Sequence, residues 1–221
     1  MSNIANLNLY ITYFMKPIFS RNEDIDRMSF LNWRIESYTD FDNLRNIADG
    51  YFLSATELIA NCLANNNDKR ADILIFPILT NANHAIELYL KALTWMFNSL
   101  LKNDKRAEGS HNIKQIHESL IPKIKEFDSD LVGHFNILNK NLKSYIKELY
   151  ERIEATSTMD KLDFSRYPYD KSYQNHFYVD SNGPIEIDLD NLQERLKIIA
   201  SKLDEFYTYV YYEIFIPEEE E

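Results

Sequence analysis

The stretch Ile73–Leu101, ILIFPILTNANHAIELYLKALTWMFNSLL, decides the fold. It is apolar on nearly all sides and far longer than a strand, so it reads as the central helix of a helical bundle. A helix starting near Lys69 or Ala71 and running to about Leu101 is predicted, with Pro77 in an early turn or at a kink. Within it the longest run free of charge, Ile73 to Ile86, is fourteen residues, short of the ~20 that a membrane span requires. A soluble chain is expected.

Helices on either side supply the faces that cover this one. From Asp40 to about Asn65, Phe41, Leu44, Ile47, Phe52, Ala55, Leu58, Ile59, Cys62 and Leu63 recur at three- and four-residue steps, an amphipathic pattern. A third helix is predicted from about Asn112 to Phe127, with Ile113, Ile116 and Leu120 inward and Pro122 near its end or at a kink. A fourth, capped by Asp128 or Ser129, is expected to run to about Glu154 on Leu131, Phe135, Leu138, Leu142, Ile146, Leu149 and Ile153. Asp188 opens the last helix, through about Phe215. Residues 155–187 lack helical periodicity and hold Pro168, Gly183, Pro184 and six closely spaced aromatics. They read as a structured insertion, with a short hairpin expected around Asp180–Gly183. The expectation is an all-α bundle of about five long helices over 40–215, preceded by an arm (1–39) and followed by an acidic tail (216–221).

The 221 residues are 45% hydrophobic with only four glycines, which excludes a disordered chain and disfavours a turn-rich β fold. No secretory signal is expected from the N-terminal residues, and the single cysteine, Cys62, permits no internal disulfide, so a cytoplasmic location is expected. A net charge of −11 disfavours nonspecific binding to phosphate backbones over the whole surface. Residues 91–150 nevertheless carry ten basic against seven acidic groups, leaving −14 on the rest.

Metal-ligand spacings, phosphate-binding loops and a nucleophile elbow are all missing from the sequence, so no metal or cofactor is expected. What stands out is polar residues where a bundle should be apolar. On the central helix His84, Glu87 and Lys91 fall within about 60° of one another. Either Glu87 and Lys91 pair at a half-exposed edge while His84 bonds a carbonyl, or the stripe faces a cleft or dimer seam where a histidine exchanges protons. At the start of the third helix, Ser110 or Asn112 is the expected N-cap. There Arg106 lies five residues before His111, a cation and a base of the kind that cleaves RNA without a metal. In the insertion, Lys161, Arg166, Lys171 and His176 interleave with aromatic residues: a platform for single-stranded nucleic acid, or a segment whose rings pack onto the bundle. Arg166 is a candidate bridge from the insertion to Glu87.

Three blocks occur in order: Phe76-Pro77-Ile78-Leu79 with Asn83-His84-Ala85-Ile86-Glu87-Leu88-Tyr89-Leu90-Lys91-Ala92-Leu93, then Ser110-His111-Asn112-Ile113, then Phe164-Ser165-Arg166-Tyr167-Pro168. Together they resemble the HEPN superfamily of helical-bundle proteins over about residues 40–213. The resemblance implies a homodimer of the type linked to toxin–antitoxin, CRISPR and phage-defence systems. It also implies an endoribonuclease whose Arg-x4-6-His motif, matched by Arg106 and His111, meets its copy at the dimer interface. His84, Glu87, Lys91, Asn112, Arg166 and Tyr167 are the candidate substrate-binding residues. Several members of that superfamily are instead non-catalytic modules that bind a nucleotide or a protein partner encoded nearby, and this is the alternative.

Overall fold

Six α-helices carry the architecture of the computed structural model, which describes residues 16–35, 40–106, 109–153 and 162–216. They are α1 (Asp40–Ala64), α2 (Ala71–Leu100), α3 (Ile113–Phe127), α4 (Ser129–Leu138), α5 (Lys140–Ile153) and α6 (Leu189–Val210). No β-strand occurs among the described residues, so the chain is all-α. It divides into two compact units, 1–33 and 34–221. Among the described residues of the first, a 3₁₀ turn at Ile25–Arg27 is capped by the Asp24 carboxylate, and Phe30 stacks on Trp33 at 4.1 Å between ring centroids.

In the second unit α2 is the central element, packed on α1, α3 and α6. By length and composition alone it would suffice to cross a membrane, but eighteen of its thirty residues are buried in the bundle. Pro77 lies inside α2 without ending it. The carbonyl that loses its amide donor, four residues back, belongs to the exposed Ile73, where water can replace it. Between α1 and α2 the Asn66 side chain accepts the Ala71 amide, and Lys69 takes a left-handed conformation (φ 57°). This polar turn folds α2 back along α1.

Aromatic side chains fill the centre. Tyr89, Tyr150, Tyr207, Phe97, Phe135 and Phe206 are the largest fully buried residues, and Phe135 meets Phe206 edge-on at 4.9 Å. Their hydroxyls need partners. The Tyr89 hydroxyl donates to Asp49 and that of Tyr207 donates to Asp42 at 2.6 Å, while Arg45 holds Asp204 through two nitrogens. This network ties α1, α2 and α6 together. Burial pushes the Asp49 carboxyl up, and the Tyr89 hydroxyl and the Arg45 guanidinium only partly offset it.

Two expectations are corrected. The single helix expected over 129–154 is two, because Asn139 interrupts it. Its backbone amide and its side-chain amide both donate to the Phe135 carbonyl, which fixes φ −97°, ψ 23° and re-aims the chain into α5. No hairpin forms at Asp180–Gly183. The insertion instead closes a tight turn between Tyr169 and Asn175, joined by an isolated antiparallel bridge, in which Asp170 accepts the amides of Ser172 and Gln174. The last helix also ends regularly at Val210 and continues as a wider π-turn through Phe215.

Candidate functional site

Glu87 projects from the middle of α2 and its side chain is only 7% exposed, so its charge must be answered locally. Lys91, one turn on, places Nζ 2.8 Å from Oε1. His111 places Nδ1 2.9 Å from the same oxygen, and His84 Nδ1 lies 3.7 Å from Oε2. Burial opposes ionisation of Glu87, yet the bonds from His84, Lys91 and His111 outweigh it and hold the carboxyl down at about 2. An ionised carboxylate only accepts, so the bonded nitrogen of His111 carries its proton, and Nε2 is the free base in the neutral ring.

The approach to α3 aims His111. Asn112 is the N-cap, accepting the Gln115 amide at 3.1 Å, and the Ser110 hydroxyl accepts the Asn112 amide at 3.1 Å. These two bonds fix the backbone on either side of the histidine. The His111 side chain remains 74% exposed, so its far nitrogen is open to a ligand. The arrangement is a carboxylate orienting a histidine, the relation that sets tautomer and steadies an imidazolium in acid–base catalysis.

His111 stands at the edge of a cleft of about 830 Å³. Its floor is Thr80, Asn83, His84 and Glu87, at helical three- and four-residue steps along α2, and its far wall is the segment 162–173 of the insertion. The wall is fastened to the floor, with the Thr80 hydroxyl donating to the Ser165 side chain at 3.0 Å. From the other side the Tyr178 hydroxyl donates to the carbonyls of Phe164 (2.9 Å) and Tyr167 (3.0 Å). Tyr51 closes one end, edge-on to His84 at 4.5 Å. On the floor, Asn83 accepts the Tyr145 hydroxyl at 2.8 Å, and its amide nitrogen has no partner although the residue is 97% buried.

The insertion buries some of its rings against the bundle and leaves others exposed. Phe164 and His176 are buried, and Tyr178 packs on Phe76 at 5.3 Å. Tyr167, Tyr169 and Tyr173 remain 55%, 42% and 79% exposed, and all three line the cleft with Arg166 and Lys171. Tyr173 does so from a left-handed backbone (φ 58°), a conformation that costs a non-glycine residue energy.

The cleft unites most of the residues singled out in the sequence. His84, Glu87, His111, Arg166 and Tyr167 line it, Lys91 supports Glu87 from behind, and Asn112 acts as a cap. The expected bridge from Arg166 to Glu87 is not formed. Arg166 pairs instead with the buried Asp163, three residues earlier in the same turn. Arg106 is not among the residues that line the cleft. Its guanidinium lies over the Trp95 ring, 5.3 Å from the centroid, and 4.0 Å from Asp40. Trp95 is eight residues beyond Glu87 on α2, a rise of about 12 Å. Tyr51 and Asp163 line the site without belonging to any pattern read from the sequence, whereas Asn83 stands in the first block and Lys171 and Tyr173 in the aromatic insertion. Among the described residues, no three His, Cys, Asp or Glu side chains are grouped so as to hold a metal ion.

Comparisons with protein-family models, with curated proteins and with solved structures gave no match. The likeness to HEPN proteins rests on the three sequence blocks, all three of which supply residues to this cleft.

Proposed function

We propose that the chain is a HEPN-like protein of a stress or antiviral defence system that cleaves RNA without a metal ion, acting in the cytoplasm as a homodimer. The observation that carries this reading is the His111–Glu87 pair opening onto a cleft lined by tyrosines and cations. His111 Nε2 accepts the proton of a ribose 2′-hydroxyl, and the 2′-oxygen attacks the adjacent phosphorus. The bond to the 5′-oxygen breaks as the new one forms, leaving a 2′,3′-cyclic phosphate. The departing oxygen takes a proton from water or from an imidazolium. Glu87 steadies the charged His111 ring between these steps. Exposed tyrosine faces give unpaired bases a stacking surface worth ~1 to 3 kcal/mol each, while Arg166 and Lys171 answer the backbone charge.

A second reading, a non-catalytic HEPN module that binds a nucleotide or a protein partner, is favoured by the position of Arg106 on Trp95, outside the lining of the cleft that holds the histidine of its motif. One experiment separates the two. Purified protein in EDTA is incubated with total RNA and a tRNA pool, and wild type is compared with His111→Ala at matched folding and oligomeric state. Cleavage that disappears in the variant supports the ribonuclease. Intact RNA with both proteins overturns it in favour of the binding module.

A further inference from the structure

Electrostatic stabilisation of a phosphate under attack requires a cation fixed before the ligand arrives. Arg106, from the sequence motif, and Arg166, in the wall of the cleft, differ in their surroundings. Arg106 is 78% exposed, spends its guanidinium on the face of Trp95 and on Asp40, and is not part of the cleft wall. Arg166 forms part of the wall facing α2, in the same cleft as His111. Its charge is fixed in place by Asp163, whose side chain is only 7% exposed, and the Asp163 carbonyl accepts the amides of Arg166 (2.8 Å) and Tyr167 (2.9 Å). The Thr80 and Tyr178 bonds hold this turn against the bundle. The Arg166 side chain is still half exposed, so a guanidinium with five donors keeps some for a ligand after pairing with one carboxylate.

We propose that Arg166, not Arg106, binds the substrate phosphate beside His111, so that base and cation of the site come from one chain, 55 residues apart in sequence. This rests on the RNA reading of the cleft but makes a claim of its own, that a nucleotide phosphate is held there by Arg166. Asp163 is then a positioning residue. Uniting base and cation within one protomer also means that a dimer interface is not needed to complete the site.

The test measures binding of uridine 3′-monophosphate by calorimetry and cleavage of a single-stranded RNA oligonucleotide, in wild type, Arg166→Gln, Arg166→Lys and Arg106→Gln. Circular dichroism checks folding. Because Arg166→Gln removes the Arg166 charge beside the buried Asp163, Asp163→Asn/Arg166→Gln is measured beside it, and Arg166→Lys keeps the charge. The expected result is nucleotide binding weakened about tenfold or more in both variants that carry Arg166→Gln, less in Arg166→Lys, and unchanged within about threefold in Arg106→Gln. Cleavage should fall about 100-fold with Arg166→Gln. Nucleotide binding by the wild type with no RNA cleavage would remove the ribonuclease reading and leave the phosphate site standing. Wild-type binding that survives in the folded double variant, or falls in Arg106→Gln instead, overturns the assignment while the ribonuclease reading stands on its own cleavage. Absence of nucleotide binding in the wild type overturns the assignment as well.

Discussion

Replacing Glu87 by glutamine keeps the shape of the side chain and removes the charge on which the cleft is organised. The carboxyl sits at about 2 in the folded protein against an ordinary value of 4.5. That gap corresponds to about 3 kcal/mol in favour of the folded state. Because the folded value is the lower one, this stabilisation is complete above pH 4.5 and is lost as pH falls toward 2. The full amount is a ceiling, since His111 is 74% exposed and water screens its share, whereas Lys91 is 14% exposed and contributes nearly undiminished. Glutamine still accepts a hydrogen bond but leaves Lys91 without its counter-charge. Glu87→Gln is therefore expected to lower stability by about 2 kcal/mol at pH 7, or ~4 to 8 °C in Tm for a domain of this size. Urea unfolding followed by circular dichroism at pH 7, 4.5, 3 and 2 measures it. The difference between wild type and variant should be constant from pH 7 to 4.5 and shrink toward zero by pH 2. A difference that persists unchanged at pH 2 would refute the reasoning, because it would show that the charge of Glu87 contributes nothing to the fold.

Three further outcomes are expected. Burial, helped by Lys143, holds His117 down at about 4 from 6.5, so its contribution is full above pH 6.5 and lost as pH falls to 4; His117→Phe, packed on Phe135, should flatten the stability profile in that window in the same unfolding assay. Tyr89→Phe takes the hydroxyl from Asp49 and should cost about 1 to 2 kcal/mol, read by thermal unfolding, with no change in secondary structure. Tyr173→Gly relieves a left-handed backbone while deleting a ring at the cleft; stability should stay within about 0.5 kcal/mol, and affinity for a 2′-deoxy single strand, followed by fluorescence anisotropy, should fall about tenfold.

The parts of the molecule that the sequence made legible are those governed by local periodicity and capping. Phe52, Ala55, Ile59 and Cys62 repeat at helical steps and are buried on α1, and Asn112 and Asp188 cap the helices they precede. The polar stripe on α2 was visible because His84, Glu87 and Lys91 share one side of an otherwise apolar helix. What faces that stripe was not visible. His111 reaches Glu87 across 24 residues of chain, and no rule of spacing joins a loop residue to the middle of an earlier helix. Arg106 shows the same limit in reverse, since its nearness to His111 in sequence gives way to the attraction of the Trp95 face and Asp40. Asn139 escaped notice because its neighbours Leu138 and Leu142 sustain a helical pattern, and only its doubled bonds to Phe135 show the break. Asp163 and Arg166 read as members of an aromatic loop; their pairing depends on a turn that Thr80 and Tyr178 hold from outside.

The most direct test of the central claim, that His111 abstracts a ribose proton in this cleft, is the chemistry of the product ends. A DNA oligonucleotide carrying one ribonucleotide is incubated with the protein in EDTA, and the fragments are weighed by mass spectrometry. The account predicts one cut, immediately 3′ of the ribose, leaving a 2′,3′-cyclic phosphate and a 5′-hydroxyl, and no cut with His111→Ala. An uncut oligonucleotide, cuts at deoxyribose positions, or ends bearing a 3′-hydroxyl and a 5′-phosphate would contradict it.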